Sequence, residues 1–294
     1  MNRPSRLSRF SRRKRIAFVL SGGGPLGAAQ VGLLKALLEE GIVPDMTVGC
    51  SVGAFNAVQV ANEPTSSGIE TLERVWRTMR KDDLFPGGRL VSAWHAVRRG
   101  SHVFTNRGLR RIIGESLGPR RRFEELSLPA HVVAATLEGG RETWFSTGRI
   151  EGPLLATSAM PGVFPPVTID GVQYVDGGIV NNVPVMKAVE EGARKVYVLN
   201  VSGVIHPREL HRPHDFMMHG LVLSRAHRYH NDLARAAESA EIIEMPRVEV
   251  NQVAFTNLAM TQELIQAGYE TGLRFLRGEI GRPQPEAPQE ASAV

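Results

Sequence analysis

The 294-residue chain predicts an α/β fold, a parallel sheet with helices packed on it. Three observations carry that reading. Short apolar runs of strand length alternate with segments of helical spacing from residue 16 onward. A glycine-rich turn joins the first strand directly to the first helix. The hydrophobic fraction of 42% and charged fraction of 22% fit a soluble domain, and no apolar run approaches the roughly 20 residues that span a bilayer. The length suits one such domain, or at most two small ones.

The elements follow in order. Residues 16–20, Ile-Ala-Phe-Val-Leu, read as a fully buried strand, and residues 21–27 as the glycine-rich turn. Val31, Leu34, Leu37 and Leu38 recur at helical spacing over residues 28–40, and Gly41 is a plausible stop. Residues 45–50 form a second strand and 52–62 a second helix. Helices are expected over 69–80 and 106–117, with loop signals over 82–100. The stretch 63–125 is expected to cover or border the active-site cleft. Strands return at 130–136, 172–175 and 195–201, with 141–146 pairing nearby and a helix over 184–191. Residues 215–240 form a long amphipathic helix with Leu221, Val222, Tyr229, Leu233 and Ala236 on one side. No internal repeat is present.

The ends differ in composition. Residues 1–15 carry seven basic side chains and no acidic one; of 35 basic residues, 28 then remain against 30 acidic. The basicity therefore belongs to residues 1–14, read as a disordered tail ahead of an ordered domain over 15–278. Residues 279–294, rich in Pro, Glu, Gln and Ala, form a second disordered tail. The apolar run after the basic stretch is too short for a signal peptide. The tail suits peripheral contact with an anionic membrane better than nucleic acid, since no nucleic-acid module accompanies it. The single cysteine, Cys50, demands no oxidising compartment, and a cytoplasmic protein is expected.

Three motifs carry chemistry. Gly49-Cys50-Ser51-Val52-Gly53 matches the nucleophile elbow G-x-S-x-G, with a strand before it and a helix after. Small flanking residues let the chain turn sharply and expose the serine hydroxyl. An ordinary helix N-cap serine is the competing reading, and the pentapeptide alone does not separate them. Gly22, Gly23 and Gly24 follow the first strand, where bare backbone N–H groups can form an oxyanion hole. Through Gly27 the same loop satisfies the dinucleotide pattern G-x-G-x-x-G, but the second strand ends in Cys50-Ser51 instead of the acidic residue a ribose requires. Asp176-Gly177-Gly178 follows a strand, either as an ordinary turn or as a base at the carboxyl edge of the sheet.

Together these pieces resemble the patatin-like phospholipase family, in the family's order, from about residue 15 to residue 276. The small-residue and proline block at 156–166 and the segment 263–269 belong to the same resemblance. It implies a three-layer α/β/α fold with a mostly parallel central sheet. It also implies a serine acyl-ester hydrolase, of lipase or phospholipase A type, using a Ser–Asp dyad without cofactor or metal. Ser51 is the nucleophile and Asp176 the base, acting through an acyl-enzyme on a lipid or other acyl ester. One departure is Leu26, where the family commonly carries a basic residue. It leaves a catalytically weak or lipid-binding relative as the alternative. A Ser–Asp–His hydrolase is a further rival, since His206, His211, His214, His219, His227 and His230 follow Asp176. His227 and His230 at i, i+3 make only a poor metal signal, having no cysteine or carboxylate cluster with them.

Overall fold

The computed structural model describes residues 14–85, 102–202, 212–248 and 257–281. The tails expected at 1–14 and 279–294 lie almost wholly outside the described residues. Eight strands form one sheet: β1 (Ile16–Leu20), β2 (Met46–Cys50), β3 (Ala130–Thr136), β4 (Glu142–Phe145), β5 (Val167–Ile169), β6 (Val172–Asp176), β7 (Lys195–Leu199) and β8 (Glu241–Glu244). Strands β3, β2, β1, β7 and β8 run parallel in that spatial order. Strands β4, β5 and β6 add antiparallel pairings at the β3 side.

The helices are α1 (Gly27–Glu39), α2 (Val52–Asn62), α3 (Ser66–Thr78), α4 (Lys81–Leu84), α5 (Arg107–Ser116), α6 (Glu151–Thr157), α7 (Val185–Glu190), α8 (Pro213–Ala237) and α9 (Thr261–Leu276). Side chains of β1 alternate across the sheet, as its two-residue period requires. Phe18 and Leu20 enter one core with α1, α2, α3 and α9. Ala17 and Val19 enter the other with α7 and α8, through Val185, Ala188, Tyr229 and Ala236. Three layers result, with β1, β2, β3 and β7 buried at the centre of the sheet. Both faces being covered explains why the parallel strands read as continuous apolar runs.

Along β3, residues 130–133 pair with β2, and residues 134–136 pair with β6. Strand β4 pairs over 132–135, overlapping both. A strand has two edges, so β4 takes one, while β2 and β6 share the other end to end. Cys50 stands opposite Val133 and Asp176 opposite Ala134, which brings the carboxyl ends of β2 and β6 face to face.

Several elements depart from the sequence reading. The 172–175 strand is half of a hairpin with β5, and α6 and β8 were not expected at all. Of the segment 63–125, His102 bridges to Gly162 and Phe104 N–H donates to the Val163 carbonyl at 2.9 Å, beside the small-residue block. Residues 86–101 lie outside the described residues. No helix among the described residues is long and apolar enough to cross a membrane.

Candidate active site

Ser51 occupies the turn between β2 and α2 with φ 52° and ψ −126°, one of two non-glycine residues with positive φ among the described residues. Such backbone costs about 1–3 kcal/mol and persists only where its surroundings enforce it. The enforcement is visible. A Cβ on Gly49 would stand 2.5 Å from the Ala54 Cα, and one on Gly53 would meet the Leu20 and Ser21 carbonyls. Glycine at both positions lets α2 press against the end of β1. The Ser51 N–H donates to Thr157 Oγ1 on α6 at 2.8 Å. The Ser51 side chain makes no cap bond to α2. Ser51 thus stands at the N-cap position without doing a cap's work, and the positive end of the α2 dipole lies behind it.

Asp176 arrives from the opposite strand end and is buried. Its Oδ1 accepts the Gly178 N–H at 2.7 Å and lies 4.0 Å from the Cys50 sulfur. Burial raises the Asp176 pKa, while the Gly178 N–H, the Arg225 guanidinium and the Ser51 hydroxyl pull it down. The strand pairing sets the turn that carries Ser51 beside the Asp176 carboxylate. Cys50, one residue away, is buried against the same carboxylate, and burial first, then Asp176, pushes its thiol well above the ordinary value. It stays a protonated, inert thiol. Gly177 packs its Cα on the Val133 carbonyl, and a Cβ on Gly178 would stand 2.6 Å from Asn182 Oδ1.

The glycine loop lies across from this pair. A Cβ on Gly22 would sit 3.2 Å from the Ser51 Cβ, so the loop backbone touches the serine. The three expected N–H donors are not equivalent, however. The Gly22 N–H donates to the Asn182 carbonyl at 3.2 Å, and Asn182 Nδ2 donates back to the Gly22 carbonyl at 3.3 Å. Gly22 is clamped on both sides, and its N–H is already used. The Gly23 and Gly24 N–H groups have no acceptor among the described residues. Pro25 opens the following turn without an N–H of its own, and Gly27 makes room for Val52 and Trp76. Leu26 packs against the core on the α1 face.

A buried polar network supports the loop from below. Gln30 Nε2 donates to the Ser21 carbonyl at 2.9 Å and the Leu199 carbonyl at 3.0 Å. Asn56 Nδ2 donates to the Gly27 carbonyl and to Gln30 Oε1, each at 2.9 Å, and Trp76 Nε1 donates to Asn56 Oδ1 at 2.9 Å. Ser21 Oγ accepts the Val201 N–H at 2.9 Å. Every member is paired, which is the condition under which such a network rigidifies a site.

The sequence reading did not single out Thr157, Asn182, Gln30, Asn56 or Arg225 as site residues. Thr157 and Asn182 sit inside quoted segments, beside the proline block and after Asp176; Arg225 lies 49 residues downstream on α8 with no local signal. Of the rival histidines, His219, His227 and His230 are among the described residues, and His219 Nδ1 is buried without a hydrogen-bond partner. His227 bonds Asn231 at 3.2 Å, His230 packs on the Tyr229 ring, and neither contacts Ser51 or Asp176. His206 and His211, like the side chain of His214, lie outside the described residues. Among the described residues no group of three His, Cys, Asp or Glu side chains could hold a metal ion.

The family model for the patatin-like phospholipases matches residues 18–189, a span that contains Gly22, Ser51, Thr157, Asp176 and Asn182. Patatin-like phospholipase domain-containing protein 6 of Mus musculus is 30% identical over 199 residues, 67% of this chain and 14% of the relative. Lysophospholipase NTE1 of Cryptococcus neoformans is 28% identical over 212 residues, 69% of this chain and 12% of the relative. The chain thus spans only a small part of the length of these curated relatives. Among solved structures, VipD from Legionella pneumophila superposes with a TM-score of 0.47 at 15% identity, covering 90% of this chain and 67% of VipD. ExoU of Pseudomonas aeruginosa, in complex with SpcU, gives 0.44 at 16% identity, covering 91% and 53%.

Proposed function

Since the chain belongs to the patatin-like phospholipase family, we propose that it hydrolyses lipid acyl esters through a Ser51–Asp176 dyad. The observation that carries this reading is the strained Ser51 turn, set against a buried carboxylate at the meeting point of β2 and β6. In the first half-reaction Ser51 Oγ attacks the ester carbonyl while Asp176 takes its proton. The oxyanion forms opposite the Gly23 and Gly24 N–H groups. Collapse expels the alcohol, which regains the proton from Asp176 and leaves an acyl-serine. Water, deprotonated by Asp176, then attacks the acyl carbon, and a second oxyanion collapses to fatty acid as the departing Ser51 Oγ regains the proton from Asp176, restoring both members of the dyad.

A base whose pKa is raised by burial sits closer to the working pH than an exposed carboxylate, and so transfers the proton more evenly. The sign of the pH dependence follows: activity is present above that raised pKa and is lost as pH falls through it. Two preorganised N–H donors supply the electrostatic part, each worth about 10²–10³ in turnover. The five arginines of residues 1–13 would bring the enzyme to anionic lipid surfaces, while Lys14 pairs with Glu241 and Arg15 donates to the Glu191 carbonyl. Nitrophenyl esters and phospholipids of graded chain length test the reading, with wild type, Ser51→Ala and Asp176→Asn compared. Turnover by wild type alone is expected. Equal rates in all three proteins would remove the dyad, and no turnover in any would favour the lipid-binding alternative.

A further inference from the structure

Helix α8 packs on the far face of the sheet, and its Arg225 reaches the Asp176-Gly177-Gly178 turn. Arg225 Nε donates to the Gly178 carbonyl at 2.5 Å. A Cβ built on Gly178 would lie 2.9 Å from Arg225 Nη2 and also 2.9 Å from Asp176 Oδ1. The guanidinium and the carboxylate are therefore no more than twice that distance apart, on either side of the space that a Cβ at Gly178 would fill, with Asn182 Oδ1 also bordering it. One turn along, Arg228 is committed to Glu142 at 2.6 Å and Asp232 at 3.1 Å. Arg225 forms no ion pair among the described residues, so its charge is not cancelled by a carboxylate of its own.

We propose that Arg225 is a positioning residue for Asp176, fixing the Asp176-Gly177-Gly178 turn through the Gly178 carbonyl and setting a cation beside the carboxylate. The inference rests on the reading of Asp176 as the base. Glycine at 178 is what permits it, because any side chain there would separate the two charges. The other groups around Asp176 do not supply this charge. Cys50 on β2 is a thiol, Ser51 and the Gly178 N–H are neutral, and Glu142 on β4 is anionic and paired to Arg228. Arg225 accordingly opposes the effect of burial on Asp176. Leu26 removes a basic residue from the glycine loop, whereas Arg225 provides one at the base.

The test is the rate of Ser51 phosphonylation by a fluorophosphonate, measured from pH 5 to 9 on the full chain. Wild type, Arg225→Gln, Arg225→Lys and Asp176→Asn are compared. An opposite charge at this range lowers a carboxylate pKa by about 1–3 units. The acid limb of Arg225→Gln should therefore move up by about one pH unit, a roughly tenfold slower reaction on that limb. Arg225→Lys keeps the charge but not the planar donor to Gly178, so its limb should stay near wild type while its plateau falls several-fold. Coincident limbs for wild type and Arg225→Gln, with Asp176→Asn slow throughout, would overturn the role of Arg225 and leave Asp176 as base. Wild-type labelling by Asp176→Asn would overturn the reading of Asp176 and this inference with it. Should Arg225→Gln not fold, Arg225→Lys decides: an unchanged plateau overturns the proposal, and a lower plateau with an unmoved limb supports it.

Discussion

Replacing Ser51 by glycine and by alanine separates the backbone of the elbow from its chemistry. Both variants lose the hydroxyl and should be inactive, so their difference reports the cost of holding a Cβ at φ 52° and ψ −126°. That conformation costs about 1–3 kcal/mol with a side chain and little with glycine. Glycine gives back about 0.4–1 kcal/mol through the greater freedom of its unfolded chain. A net gain of about 1 kcal/mol remains for Ser51→Gly over Ser51→Ala. At about 2 cal/mol/K of unfolding entropy per residue, a chain of this length converts that into a rise of roughly 2 °C in Tm. Calorimetry of the two variants at the same pH is the assay. A Ser51→Gly protein melting at or below Ser51→Ala would refute the strain argument and return Ser51 to the status of an ordinary turn residue.

Three other outcomes are expected. Asn56→Leu leaves Trp76 Nε1 and Gln30 Oε1 buried without partners, so urea denaturation should show a loss of about 2–4 kcal/mol; a neutral result would mean the network is not closed. Asp176→Asn should melt higher than wild type at pH 8 while losing turnover. The folded-state pKa of Asp176 is raised by burial, so the folded chain holds the extra proton and loses stability as pH rises through that value; the amide is free of this penalty and keeps an acceptor for Gly178. A lower Tm for this variant would contradict the sign. His131, at the start of β3, has its pKa lowered by burial, so the unfolded chain binds the proton first and stability falls as pH drops below the ordinary histidine value. His131→Leu should flatten that part of the pH–stability curve, and an unchanged slope would clear His131 of the effect.

What could be read from the sequence is what is encoded locally. The turn from strand to helix around Ser51 lies within five residues; Gly49 is required by Ala54 just beyond it, whereas Gly53 is required by the Leu20 and Ser21 carbonyls at the end of β1. The alternation of strand and helix from residue 16 to residue 62 is legible because those strands are buried on both faces. The short α6 is hidden by Gly152 and Pro153, which disfavour a helix, and it is held instead by the burial of Leu154 and Leu155. The three-residue β5 and four-residue β8 are too short for a period to register. The meeting of β2 and β6 on one edge of β3 is a fact of long-range pairing, so Asp176 could be nominated by its motif but not placed. The same holds for Gly22, whose N–H is used by a carbonyl 160 residues away, and for Arg225, which carries no motif.

The proposed chemistry requires a single serine nucleophile, Ser51. Treating the full chain with a fluorophosphonate and locating the adduct by peptide mass spectrometry tests it most directly. One adduct is expected, on Ser51, abolished in Ser51→Ala. An adduct on any other serine would contradict it.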